Sequence, residues 1–145
     1  MERKRVFTAI NLDDEALGYV DGLVARLARQ LPKRVRFMPR ENWHITITFL
    51  GDQNPGDTRI AAALEEAINF NFSEIRFDQI HYGPEGRRPR MIWLSTSSQT
   101  SKSLAQLKSH LEDRLTSEGV VFSREGRGFN GHVTLVRLKD GIRAS

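Results

Sequence analysis

Two stretches of the 145-residue chain carry the same unusual strand. The first, His44-Ile45-Thr46-Ile47-Thr48-Phe49-Leu50-Gly51, alternates polar with apolar residues, and strict alternation puts a histidine and two hydroxyls on one face. The second, His132-Val133-Thr134-Leu135-Val136-Arg137, begins 88 residues later and again sets a threonine two positions after a histidine. Each copy closes the same succession of strand, helix, short strand and turn. Val35-Arg36-Phe37 precedes His44 as Val120-Val121-Phe122 precedes His132, and 38 residues separate Val6 from His44 against 40 from Ile92 to His132. Such repetition predicts an α+β fold in a single domain over residues 1–145. It would be bilobal, with pseudo-twofold duplicated antiparallel sheets, helices on their outer faces and a central cleft carrying both His-x-Thr motifs.

The intervening chain reads as follows. Arg5 to Leu12 is a β-forming run, expected as a largely buried first strand. Asp13 or Asp14 can cap a helix whose apolar stripe of Leu17, Val20, Leu23, Val24 and Leu27 runs to about Gln30, with Pro32 just beyond. A second helix over Thr58 to Phe70, capped by Asp57 or Thr58, follows the Asn54-Pro55-Gly56 turn. Phe72, Ile75, Phe77, Ile80 and Tyr82 suggest an irregular strand or two before a basic loop from Gly83 to Arg90, and Met91 to Ser95 is a compact strand. A third helix, capped by Thr100 or Ser101, buries Leu104, Leu107, Leu111 and Leu115 and ends at Gly119. Val120–Phe122 and His132–Leu138 are the last strands expected.

The absence of cysteine excludes disulfides, thiolate nucleophiles and Cys-based metal sites. Met1-Glu2-Arg3-Lys4-Arg5 is basic, but the apolar run after it is too short for a secretory signal and is broken by Thr8 and Asn11. No run approaches membrane-spanning length, so the expected location is the cytoplasm and no membrane partner is foreseen. A net charge of +4 and a pI near 9.8 suit an anionic ligand.

Only four histidines and eight threonines occur, so any one histidine has a threonine two positions on by chance about once in eighteen. Two of four doing so in matching strands points to a shared task. Imidazole titrates near neutrality. One ring can take a proton from an attacking water while the other, as imidazolium, protonates the departing oxygen, each step contributing about 10²–10⁴-fold. In-line displacement at phosphorus needs the two rings on opposite sides, as a pseudo-twofold pair of strands provides. Thr46 and Thr134, one pleat along, can donate hydrogen bonds to the non-bridging oxygens as charge builds.

His44-Ile-Thr-Ile-Thr-Phe-Leu-Gly and His132-Val-Thr-Leu-Val-Arg resemble the paired signatures of the 2H (two-histidine) phosphoesterases, most of all the prokaryotic RNA 2′,3′-cyclic phosphodiesterases, or 2′-5′ RNA ligase-like proteins. The likeness extends to Arg5-Val-Phe-Thr-Ala-Ile-Asn-Leu and Arg90-Met-Ile-Trp-Leu94. It implies hydrolysis of a 2′,3′-cyclic phosphate, on RNA ends or on a nucleoside, to the 2′-phosphate. No metal and no other cofactor would be required, and reversible 2′-5′ ligation would be a side activity. By motif position His44 would be the acid towards the 3′ oxygen and His132 the base for water, a direction the sequence alone leaves open. Thr46 and Thr134 would hold the phosphate, Arg137 would add positive charge, and Phe49 would line the base-binding side.

Strict alternation puts Arg137 on the face opposite His132, so it joins the site only if the strand bulges, and parity makes Phe49 at least as suited to the core. Two departures stand out. Gly131 occupies a place where such proteins commonly carry proline, which would loosen the approach to His132. The chain also stops 13 residues after His132 where relatives usually continue, which predicts an exposed edge at the last strand. The expected state is a monomer, with a dimer through that C-terminal edge as the alternative. Arg87, Arg88 and Arg90 could meet an RNA backbone or stay solvated, while Trp43, Tyr82 and Trp93 are better placed in a small core than as stacking platforms. His81 and His110 read as structural or exposed. Competing functions are 2′-5′ ligation, hydrolysis of another small cyclic phosphate, and a non-catalytic RNA-end-binding module.

Overall fold

The computed structural model describes residues 2–32, 34–68, 74–84, 88–125 and 128–138. They form two compact units.

One unit comprises Met1–Ala9, Thr46–Arg76 and Thr96–Gly131. It takes the greater part of a two-stranded sheet, β1 (Lys4–Asn11) beside β3 (His44–Gln53), together with α2 (Thr58–Ile68) and α3 (Ser98–Ser117), which pack on each other. Leu104, Leu107, Leu111 and Leu115, four leucines at helical spacing, are all buried, as are Ile60 and Ala63 of α2. Asp57 caps α2 by accepting the Arg59 backbone N–H at 2.9 Å. The cap of α3 falls a turn earlier than the expected Thr100 or Ser101. Ser97 Oγ accepts from the Thr100 backbone N–H, while Thr100 Oγ1 donates to the Glu74 carbonyl. Gly119, just past the helix, sits at φ +86, where glycine is favoured.

The other unit comprises Ile10–Ile45, Phe77–Ser95 and His132–Ser145. Its sheet runs β2 (Arg36–Phe37), β6 (His132–Arg137), β5 (Met91–Thr96), β4 (Phe77–Gly83), and β6 is antiparallel to both its neighbours. Helix α1 (Asp14–Gln30) belongs here, capped by Asp13, which accepts the Ala16 N–H at 2.8 Å. It buries Val20 and Leu23, and its Tyr19 stacks on Phe77 of β4 with ring centres 6.2 Å apart.

The architecture is α+β with two sheets, but the two units are not the two sequence halves. The helix of the first half shares a unit with β5 and β6, and the helix of the second half shares one with β3. The pairing of β2 with β6 belongs to the same exchange. Val120–Phe122, the counterpart expected as a strand, forms none. The Val120 N–H returns to the Leu115 carbonyl, and the Val121 carbonyl accepts from the Gln53 side chain at 2.8 Å in place of a ladder bond. Strand β1 is also less buried than expected: only Thr8 is enclosed, and among the described residues β3 is its one neighbouring strand. Finally, β6 is not an edge. It lies inside its sheet, so the open C-terminal edge proposed for dimerisation is absent among the described residues.

Candidate active site

The face presented by β6 follows from its pairing with β5. Ser95 lies opposite His132, Leu94 opposite Val133 and Trp93 opposite Thr134; the register then slips, with Ile92 opposite Val136 and Met91 opposite Arg137. Leu135 is the extra residue of a β-bulge. Alternation therefore breaks after Thr134. Val133, Leu135 and Val136 are all wholly buried, His132 and Thr134 are half-buried, and Arg137 is exposed. Along β5, Met91, Trp93 and Ser95 share one face, so their partners Arg137, Thr134 and His132 share it too. The bulge thus brings Arg137 round to the histidine face, which strict alternation had denied it.

Strand β3 repeats this pattern residue for residue. His44 and Thr46 are half-buried, Ile45, Ile47 and Thr48 are buried, and Phe49 is exposed. Two expectations change accordingly. Phe49 is not core: it is 61% exposed, with its ring centre 6.2 Å from that of Phe7, another exposed aromatic. Thr48 leaves the face it was expected to share with His44, because its hydroxyl donates to the Glu112 carboxylate at 3.1 Å inside the protein. That carboxylate also pairs with Lys108 at 2.9 Å and Arg124 at 3.3 Å, and Lys108 donates to the Ile47 carbonyl at 3.0 Å. The only trace of this buried ionic cluster in the sequence is the Lys108–Glu112 spacing of four on α3.

His44, His132, Thr134 and Arg137 all fall in one unit, while Thr46 and Phe49 follow His44 along β3 into the other. Gly131, ahead of His132, is held at both ends. Its N–H donates to Ser101 Oγ at 3.2 Å, and its carbonyl accepts from the Thr96 N–H at 2.9 Å and the Thr96 hydroxyl at 3.2 Å. A proline there would lack the N–H that Ser101 takes, so glycine does not loosen this approach.

Beside His132 lie residues that the motifs did not flag. The Trp93 indole stacks on the His132 ring with centres 3.9 Å apart and planes 21° from parallel. His81 meets Trp93 edge-on at 6.1 Å. Its Nδ1–H donates to the Tyr82 carbonyl at 3.1 Å, and in the neutral ring Nε2 accepts from the Ser95 hydroxyl. The sole hint in the sequence is that Trp93 and Ser95 stand two apart in a strand, hence on one face. His110 lies 3.6 Å from Glu66, a surface pairing. Trp43 is buried as expected, its N–H on the Met38 carbonyl at 3.2 Å, whereas Tyr82 and Trp93 are half-buried. Arg88 and Arg90 are exposed, and Arg87 lies outside the described residues. Among the described residues no three His, Asp or Glu side chains are grouped to hold a metal ion, and no helix is long and apolar enough to cross a membrane.

An α+β fold with two matched His-x-Thr strands is the arrangement of a two-histidine phosphoesterase. Residues 10–93 match the family described as LigT like Phosphoesterase, and the chain belongs to that family. Similar proteins include one from Aeropyrum pernix named RNA 2′,3′-cyclic phosphodiesterase, 33% identical over 102 residues, which cover 68% of this chain and 54% of that protein. A protein of the same name from Archaeoglobus fulgidus is 26% identical over 137 residues, covering 93% of this chain and 73% of its own. The chain thus spans about half the length of the first relative and about three quarters of the second. Two solved structures share the fold. A Thermus thermophilus protein has a TM-score of 0.75 at 19% identity, covering 97% of this chain and 78% of its own. LigT of E. coli, solved with 3′-AMP, has a TM-score of 0.70 at 23% identity, covering 99% and 79%.

Proposed function

We propose that the protein hydrolyses 2′,3′-cyclic phosphates, on RNA ends or on nucleosides, to the 2′-phosphate by acid–base catalysis between His44 and His132, with no metal ion taking part. The observation that carries this reading is the identical sequence of exposure along β3 and β6, which gives each histidine a threonine two residues on and an exposed side chain five residues on. His132 accepts a proton from water as its oxygen attacks phosphorus. The bond from phosphorus to the 3′ oxygen breaks, His44 protonates that oxygen, and the phosphate stays on the 2′ oxygen. Thr46 and Thr134 donate to the non-bridging oxygens, and Arg137 offsets their charge. Phe49 lies beside the base. The names of the Aeropyrum and Archaeoglobus relatives and the 3′-AMP bound to E. coli LigT support a nucleotide substrate.

Incubation with a 2′,3′-cyclic nucleotide in EDTA, with product analysis, tests the proposal. His44→Ala and His132→Ala should each lose at least about 100-fold in kcat, since each removes one proton-transfer step. Unchanged turnover in both variants, or loss of wild-type turnover in chelator, would overturn it.

A further inference from the structure

Three strands converge on one ring beside His132. Trp93 of β5 lies opposite Thr134, and its indole reaches diagonally to stack on the imidazole at 3.9 Å. On β4 stands Gly83, which is buried. A Cβ at that position would come within 2.5 Å of the indole carbons Cδ2 and Cε3, so only glycine leaves room for the ring where it lies. The φ of Gly83 is not positive, so the indole and not the backbone demands glycine here. At the indole edge sits His81, itself fixed by Ser95 and Tyr82. The Trp93 N–H is buried and meets no acceptor among the described residues.

We infer that Trp93 is the positioning residue of His132: the indole fixes the plane of the imidazole and favours its protonated form, and Gly83 exists to admit it. An aromatic face stacked on imidazolium is attractive because the ring quadrupole is negative over its face. The same contact holds the imidazole plane against tilting, so the nitrogen that exchanges a proton keeps one direction. The ionisable side chains that the described strands of this sheet place on the His132 face are these. Strand β5 carries no ionisable side chain, β4 brings His81 to this face, and Arg137 of β6, opposite Met91, stands five residues along with Arg36 of β2 across from it.

The assignment of a catalytic task to His132 rests on the proposed function, but the stack can be tested without turnover. The pKa of His132 is followed by NMR through its ring Cε1–H in the full chain, alongside kcat and KM for a 2′,3′-cyclic nucleotide. In Trp93→Leu the His132 pKa should fall by about 0.5–1 pH unit, and kcat should fall by about 10- to 100-fold with KM little changed. Trp93→Phe, which keeps an aromatic face, should recover most of both. Gly83→Ala, which leaves the indole in the chain but displaces it, should behave like Trp93→Leu. A His132 pKa that is the same in the wild type, Trp93→Leu and Gly83→Ala would overturn the inference whatever the turnover. A shifted pKa in a wild-type protein without turnover would uphold the stack and sink the proposed reaction instead.

Discussion

At the scale of single residues, Arg137 shows how a side chain acquires a place that its parity forbids. Its guanidinium shares a face with His132 and Thr134 only because Leu135 is accommodated as an extra residue. A charge-assisted hydrogen bond to phosphate is worth about 1.5–3 kcal/mol. Arg137→Leu should therefore lower kcat/KM for a cyclic nucleotide by about 10- to 100-fold without altering the melting temperature, since the residue is exposed. Steady-state kinetics beside a thermal melt checks this, and an unchanged kcat/KM would return Arg137 to the status of a surface cation. Gly131 teaches the opposite lesson. A glycine that suggested looseness is bonded through both backbone groups, and a Cβ there would lie 2.7 Å from Thr96 Oγ1.

At the scale of elements, the break in alternation on β6 has a measurable mark. In a regular strand one of two adjacent residues faces outward, but Leu135 and Val136 are both wholly buried. Leu135→Ala should cost about 2–5 kcal/mol, and Val136→Ala should also be destabilising by more than about 1 kcal/mol, both read from urea unfolding. A neutral result at either position would contradict the bulge. The cap of α2 gives a pH signature. The hydrogen bonds and charge of Arg59 lower the Asp57 carboxyl from 3.8 to about 2. A carboxylate whose pKa is lower folded than unfolded stabilises the protein above the unfolded value, and that contribution disappears as pH falls through the folded one. The stability difference between the wild type and Asp57→Ala should thus be full at about pH 5 and shrink between about pH 4 and pH 2, as melts across that range would show. These elements also mark what could be read in advance. Asp13, the α3 leucines and the two His-x-Thr strands were legible because caps, stripes and alternation are local. The bulge was not, since register belongs to two strands at once, and neither was the Trp93–His132 stack, which needs β5 and β6 side by side. Parity alone also pointed Phe49 towards the core, whereas the residue is exposed.

At the scale of the whole molecule, each unit gathers three separated segments: residues from the start, the middle and the later part of the chain enter both. Contacts of that kind close large loops before they are rewarded, which slows folding. Refolding from urea, followed by stopped-flow fluorescence of Trp43 and Trp93, should take milliseconds to seconds; completion within about 100 μs would contradict this topology. The repeat was visible from spacing alone, but which helix joins which strands was not, because the β2–β6 pairing is fixed by hydrogen bonds that no local pattern announces. The strand order β2-β6-β5-β4 has a bearing on synthesis. The ribosome makes β2, β4 and β5 first, and β6 fills the gap between β2 and β5 only after the rest of that sheet has emerged. Until then a nascent chain carries half of its histidine pair and an open slot in its sheet, so the reaction proposed for that pair would have to wait until β6 has docked.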